Sequence, residues 1–183
     1  VERSRGLGDV YKRQDYIPSP NCEERPKNFF PEIIVIHAIS LPKGKYITKN
    51  IVDLFTNNLD IKSHSSFESL DGIRVSAHIL ISREGSILQF VPFNKKAWHA
   101  GVSSFGKKTN CNDFSIGIEL EGSDHDDFDE RQYNSLNKIL VTLMEYYGIK
   151  KKDIVGHSDI APDRKTDPGP VSYTHLTLPT IYS

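Results

Sequence analysis

Methionine is almost missing from this 183-residue chain: Met144 is the single one, so Val1 is not expected to be a translation start. Cysteine is nearly as scarce. Cys22 and Cys111 allow at most one bridge, which a domain of this size does not need, and both read as free thiols of a reducing compartment. An excess of one charge is lacking too. The 23 Lys+Arg against 24 Asp+Glu give a net charge of −1 with His neutral, and so no clustered cationic surface for a nucleic-acid backbone or an anionic membrane. No apolar run approaches the roughly 18 residues of a spanning helix, and the N-terminal region lacks the apolar stretch of a secretory signal. With 37% hydrophobic residues and a mean hydropathy of −0.44, the expectation is one soluble, cytoplasmic globular domain with no nucleic-acid and no membrane partner.

The two ends differ from the rest. VERSRGLGDVYKRQ has no periodicity, and VSYTHLTLPTIYS has no acidic or basic side chain in a chain that is 26% charged. Residues 1–14 and 171–183 are therefore expected to be non-native or disordered, and residues 15–170 to form the working domain. That segment holds 19 basic and 22 acidic residues and is mildly acidic.

Residues 15–31 hold four prolines and read as an extended lead-in. Ile33 to Ile39 is apolar on both faces, the pattern of a strand buried on two sides, and carries His37 near its end. From Thr48 to Leu59 the spacing of Ile51, Leu54, Phe55 and Leu59 predicts a helix that Thr48 can cap. Val75–Ser82 and Ile87–Pro92, around Arg83-Glu84-Gly85-Ser86, predict a β-hairpin. Residues 97–113 should form a long loop. Ser115 to Glu121 alternates strictly, placing Ile116, Ile118 and Leu120 on one side and Glu119 and Glu121 on the other. Asp129 with Gln132 opens a helix whose stripe runs through Tyr133, Leu136, Leu140, Leu143, Met144 and Tyr147 to Gly148. A short strand at Asp153–Val155 precedes Gly156–Pro170, read as a loop. Strands and two long helices without regular alternation predict an α/β, mixed α+β single domain: one central mixed β-sheet flanked by helices.

His37 alone also fits a satisfied core histidine. His157 opens the stiff loop GHSDIAPDRKTDPGP, which holds Asp167 between proline and glycine. Two imidazoles and one carboxylate are the three-ligand set of a catalytic zinc site, with a fourth position open for water. Such a site needs a base and an oxyanion partner. Glu119 on the polar side of its strand is the candidate base, and Lys165 the candidate cation. These spacings by themselves equally fit solvated loop residues.

Taken together, IVIHAISLPKG, LFTNNLD, RVSAHILISREGSILQFVPF, AWHAGVSSFGKKTNCNDFSIGIELEG and GHSDIAPDRKTDPGP resemble the AmpD-type 1,6-anhydro-N-acetylmuramyl-L-alanine amidases, within the zinc amidases that also include phage-lysozyme-type amidases and peptidoglycan recognition proteins. The match runs in order through about residues 31–170. The resemblance implies Zn²⁺ held by His37, His157 and Asp167, Glu119 as general base and Lys165 as the residue that steadies the transition state. It implies an anhydro-muropeptide or other peptidoglycan fragment as partner, with Arg74 on a stem-peptide carboxylate, Trp98 and His99 lining the cleft, and action as a monomer in the cytoplasm. His78 is read as a structural partner, and His64 and His125 as surface residues. Two departures stand out. Ala38 occupies a position where many such proteins carry Asn, and Ala77 replaces the tyrosine of the phage-lysozyme branch, which leaves the base role to Glu119. The alternatives are an exported amidase acting on intact peptidoglycan and, in another class, a non-catalytic peptidoglycan-binding module.

Overall fold

A computed structural model describes residues 15–169, so the expectations for residues 1–14 and 171–183, His175 among them, lie outside the described residues. The strands are β1 (Asp15–Tyr16), β2 (Cys22–Glu24), β3 (Ile33–Ile39), β4 (Ile79–Ile81), β5 (Ile87–Gln89), β6 (Lys95–Ala97), β7 (Ser104–Phe105), β8 (Lys108–Thr109), β9 (Ser115–Glu121) and β10 (Ile154–Gly156). The helices are α1 (Thr48–Phe55), α2 (Glu130–Tyr147) and the single turn α3 (His157–Ile160). Six strands form one sheet in the order β1-β5-β4-β9-β3-β10, and β2-β6 and β7-β8 form two small antiparallel pairs. The sheet is mixed: β4, β9, β3 and β10 run parallel to their neighbours in that series, whereas β4 and β5 pair antiparallel as a hairpin.

The alternation in β9 sorts the two layers. Ile116, Ile118 and Leu120, with Ile34, Ile36, Ile79 and Ile81, face α2 and pack against Leu136, Ile139, Leu140, Leu143 and Met144. Each such side chain, fully removed from water, contributes about 1.5–3 kcal/mol. On the other face α1 lays Ile51, Leu54 and Phe55 against Leu80, Phe90 and Ala97. Glu119 and Glu121 share that face, but β9 is central and both are buried.

Helix α2 follows its local signals. Arg131 N–H donates to the Asp129 carboxylate at 2.9 Å, Asp129 N–H donates to Gln132 Oε1 at 3.0 Å, and Gly148 closes the helix at φ 71°. Other expectations are corrected. Helix α1 stops at Phe55 rather than Leu59, because Asn57 turns the chain into the left-handed region at φ 64°. Thr48 does not cap it; its hydroxyl donates to both oxygens of Glu121. The hairpin strands are three residues each; before them Ser76 N–H donates to Trp98 O and His78 N–H to Gly117 O, while the His78 carbonyl still accepts from Phe90 N–H across the hairpin. The segment after β10 begins with α3 rather than running wholly as loop. The 97–113 stretch contains the β7-β8 hairpin. Cys22 and Cys111 are both free thiols, as expected.

Candidate active site

Three adjacent parallel strands deliver the central residues. His37 lies opposite Glu119 in the β3–β9 register, and Gly156 lies opposite Ile36, so His157 follows β10 level with His37. The row Glu119, His37, His157 therefore stands near the carboxyl ends of its strands, the usual place for a ligand in a parallel sheet. Asp167 is brought back to this row by its own loop. Ser158 N–H donates to Asp167 O at 2.9 Å, Lys165 N–H donates to Ala161 O at 3.0 Å, and Arg164 Nη2 donates to the carbonyls of Ala100 and Val102 at 2.6 and 2.7 Å.

The donor atoms converge. His37 Nδ1 and His157 Nδ1 are 2.9 Å apart, and Asp167 Oδ2 lies 3.4 Å from the first and 3.2 Å from the second. A circle through the three atoms has a radius of about 1.8 Å, so a point just off their plane lies about 2.0–2.1 Å from each, the bond length zinc takes to imidazole and carboxylate. The protons agree with that geometry. His157 Nε2 faces the Ala100 carbonyl at 3.2 Å, which can only accept, so the proton sits on Nε2 and Nδ1 presents a lone pair toward His37 Nδ1. Two facing lone pairs repel unless a cation or a proton lies between them. The donor set thus fits a divalent metal.

Burial holds the His37 imidazole down to about 4, against the pull of the Asp167 carboxylate, and so keeps it in the neutral form that a ligand requires. Burial opposes ionisation of Asp167, but the His157 and His37 imidazoles that face it outweigh that and keep this carboxyl below the usual range. Glu119 behaves oppositely. Burial, reinforced by the Asp167 charge and opposed by Lys165, raises it well above the ordinary carboxylate value. Its Oε1 lies 4.0 Å from His37 Nδ1, Glu119 is not among the three residues whose ligand atoms converge, and its Oε2 is buried with no hydrogen-bond partner among the described residues.

A cavity of about 190 Å³ opens over this row, walled by Phe55, Val75, Ser76, Trp98, Lys165 and Asp167. A second, of about 290 Å³, continues past Ala38 and Lys165 to Lys43 and Ser123. Trp98 forms one wall of the first, and its Nε1–H is buried without an acceptor among the described residues. Arg74 is exposed at the rim: it precedes Val75 and lines a neighbouring groove with Leu54, Leu70 and Asp71 rather than the cavity itself. His99 lines the same cavity, in line with the expected cleft residue, but its ring nitrogens turn away from it. Both its ring nitrogens are occupied within the protein, by His37 Nε2 at 2.9 Å and Ser115 Oγ at 3.0 Å. His78 is a structural partner, accepting from Gly117 N–H and facing the Lys95 carbonyl, each at 3.0 Å. Sequence reasoning misses Ser115 and the Ala100 carbonyl; the signal for the first is Gly117, a glycine two residues on in a strand of otherwise larger side chains.

Residues 27–170 match the N-acetylmuramoyl-L-alanine amidase family. The 1,6-anhydro-N-acetylmuramyl-L-alanine amidase AmpD of Escherichia coli is 49% identical over 154 residues, 84% of each chain. A crystal structure of a selenomethionine AmpD derivative superimposes with a TM-score of 0.84 at 46% identity, covering 87% of this chain and 89% of that one. The E. coli amidase AmiD, solved with the substrate anhydro-N-acetylmuramic acid-L-Ala-D-γ-Glu-L-Lys, is similar at 30% identity and a TM-score of 0.56, over 81% of this chain and 57% of that one.

Proposed function

The chain belongs to the N-acetylmuramoyl-L-alanine amidase family, and from that premise we propose that it is a zinc amidase of peptidoglycan recycling. Its reaction is hydrolysis of the amide between the lactyl group of a 1,6-anhydro-N-acetylmuramic acid and the L-alanine of the stem peptide. The likeness to AmpD across 84% of both chains supports the anhydro-sugar substrate, and the ligand in the AmiD complex is of the same class. The observation that carries the chemistry is the triangle of His37 Nδ1, His157 Nδ1 and Asp167 Oδ2 beside a Glu119 oxygen without a hydrogen-bond partner among the described residues.

Those three residues would hold the zinc, which supplies Lewis acidity to the scissile carbonyl and to the attacking water. Glu119 takes the proton of that water and passes it to the departing amine. Its raised proton affinity suits it to take the proton from water and hold it for the amine. Lys165, on the cavity wall, meets the negative charge that grows on the carbonyl oxygen. Arg74 at the rim offers a planar fork of donors to a stem-peptide carboxylate. The indole of Trp98 gives sugar or peptide an apolar wall and one unused N–H. Ala38, on the wall of both cavities, leaves the site one amide poorer than an Asn there would.

The working unit is residues 15–170, acting as a single copy in the cytoplasm on a soluble fragment. No helix of the described residues is long and apolar enough to cross a membrane. Purified protein should carry one zinc ion per chain and release peptide from soluble anhydro-muropeptide much faster than from polymeric sacculi. Active protein free of zinc would overturn the metal assignment, and comparable rates on sacculi would overturn the recycling role in favour of an envelope amidase.

A further inference from the structure

His99 lines the cavity but is held at several points. Its backbone N–H and that of Ala100 both donate to Asn112 Oδ1, at 3.2 and 2.8 Å. Its ring meets His37 edge-on at 5.0 Å between centroids and lies on Gly117, where a Cβ would fall 2.5 Å from the ring carbon Cγ. Its Nδ1 faces His37 Nε2 and its Nε2 faces Ser115 Oγ. Ser115 is anchored in turn, since its carbonyl accepts Nη2 of the half-buried Arg25 at 2.8 Å. A ring so tightly placed, with both nitrogens turned inward, acts on His37 rather than on substrate.

We propose that His99, backed by Ser115, is the positioning residue that selects the metal-binding tautomer of His37. This rests on the zinc reading above. A metal on His37 Nδ1 requires the proton on Nε2, and the acceptor in the path of that proton is His99 Nδ1. His99 then carries its own proton on Nε2 and donates it to Ser115 Oγ. With no metal, His37 Nδ1–H can instead donate to Asp167, and every proton in the chain shifts over: His99 Nδ1–H donates to His37 Nε2, and the Ser115 hydroxyl donates to His99 Nε2. A hydroxyl suits the end of such a chain because it serves as donor or acceptor without moving its oxygen. Gly117 belongs to the same device, for any side chain there would displace the ring.

The tests use the full chain with zinc as probe. In competition with a chelator, His99→Leu should bind zinc about 10–100-fold more weakly, the usual cost of losing the partner of a ligating histidine. His99→Asn, which restores an acceptor close to the place of Nδ1, should recover most of that affinity, and Gly117→Ala should fall with the Leu variant. Nitrogen NMR of the wild-type histidines gives a readout that needs no variant: His99 should carry its proton on Nδ1 without zinc and on Nε2 with it. Equal zinc affinity in wild type and His99→Leu, an Asn variant as weak as the Leu variant, or one His99 tautomer in both states would each overturn the role of His99. A wild-type chain that binds no zinc would overturn the metal reading itself.

Discussion

Replacing Glu119 by Gln should separate catalysis from stability in opposite directions. The side chain is 12% exposed, its Oε2 has no partner among the described residues, and burial raises its proton affinity well above that of an ordinary carboxylate. Its ionised form is therefore a cost to the fold. Gln keeps the shape and removes the charge, but it cannot take a proton from water. Loss of a positioned general base typically lowers turnover about 10²–10⁴-fold, or roughly 3–5 kcal/mol of barrier. Zinc binding should survive, since the three converging ligand residues, His37, His157 and Asp167, are all retained. Stability should move the other way. A buried polar or charged group without a partner costs on the order of 1–3 kcal/mol, and the new amide keeps part of that penalty through its own N–H groups. In metal-free protein Gln should thus raise the unfolding midpoint by about 2–4 °C for each kcal/mol recovered. The sign with pH follows from the raised value. Below about 4.5 Glu119 is protonated in folded and unfolded chains alike, and the two proteins should be equally stable at that position. As pH rises the unfolded chain ionises first and wild type loses ground, so the gap should widen toward neutrality. Calorimetry at pH 4.5 and 7.5 beside a turnover assay measures all three quantities. Turnover within threefold of wild type would refute the base assignment, and a variant less stable than wild type at neutral pH would refute the burial argument.

Asp167→Ala should abolish stoichiometric zinc while leaving the apo fold intact, because the Asp167 backbone carbonyl still holds the loop to Ser158; metal content and circular dichroism of the purified variant check this. Leu140→Ala empties a fully buried site between α2 and the sheet and should cost about 2–5 kcal/mol in denaturant unfolding with little change in turnover by the surviving folded protein. His78 is buried and held down to about 3, chiefly by burial and then by the Arg25 charge. Its unfolded form binds a proton below about 6.5, so its stabilising contribution is complete above that pH and is lost as pH falls toward 3, by about 1.4 kcal/mol per unit for this residue alone. Denaturant titrations between pH 7 and 4.5 should show that slope, and His78→Gln should reduce it.

Elements specified by neighbours in sequence are legible in the chain itself. The Asp129–Gln132 capping box, Gly148 and the leucine stripe define α2 within a few residues of one another, and the alternation in β9 correctly puts Ile116, Ile118 and Leu120 on one face. Elements specified by distant partners are not. Thr48 has the chemistry of a cap, yet its hydroxyl serves Glu121 across 73 residues. Glu119 and Glu121 read as the polar face of their strand, and both are buried because β9 is a central strand. His99 reads as a cleft residue and does line the cavity, but that its two nitrogens turn inward depends on His37 and Ser115 lying where the sheet puts them.

By itself the sequence nominated His37, Glu119, His157, Lys165 and Asp167 and determined the two layers and the ends of α2, since periodicity and capping act over a few positions. Only the tertiary structure decided that three of these stand in one row and that Asp167 closes the triangle. Strand register and a loop anchored at Ala100 and Ser158 bring atoms together across 120 residues, and the free energy that selects such a pairing lies in contacts no local pattern contains.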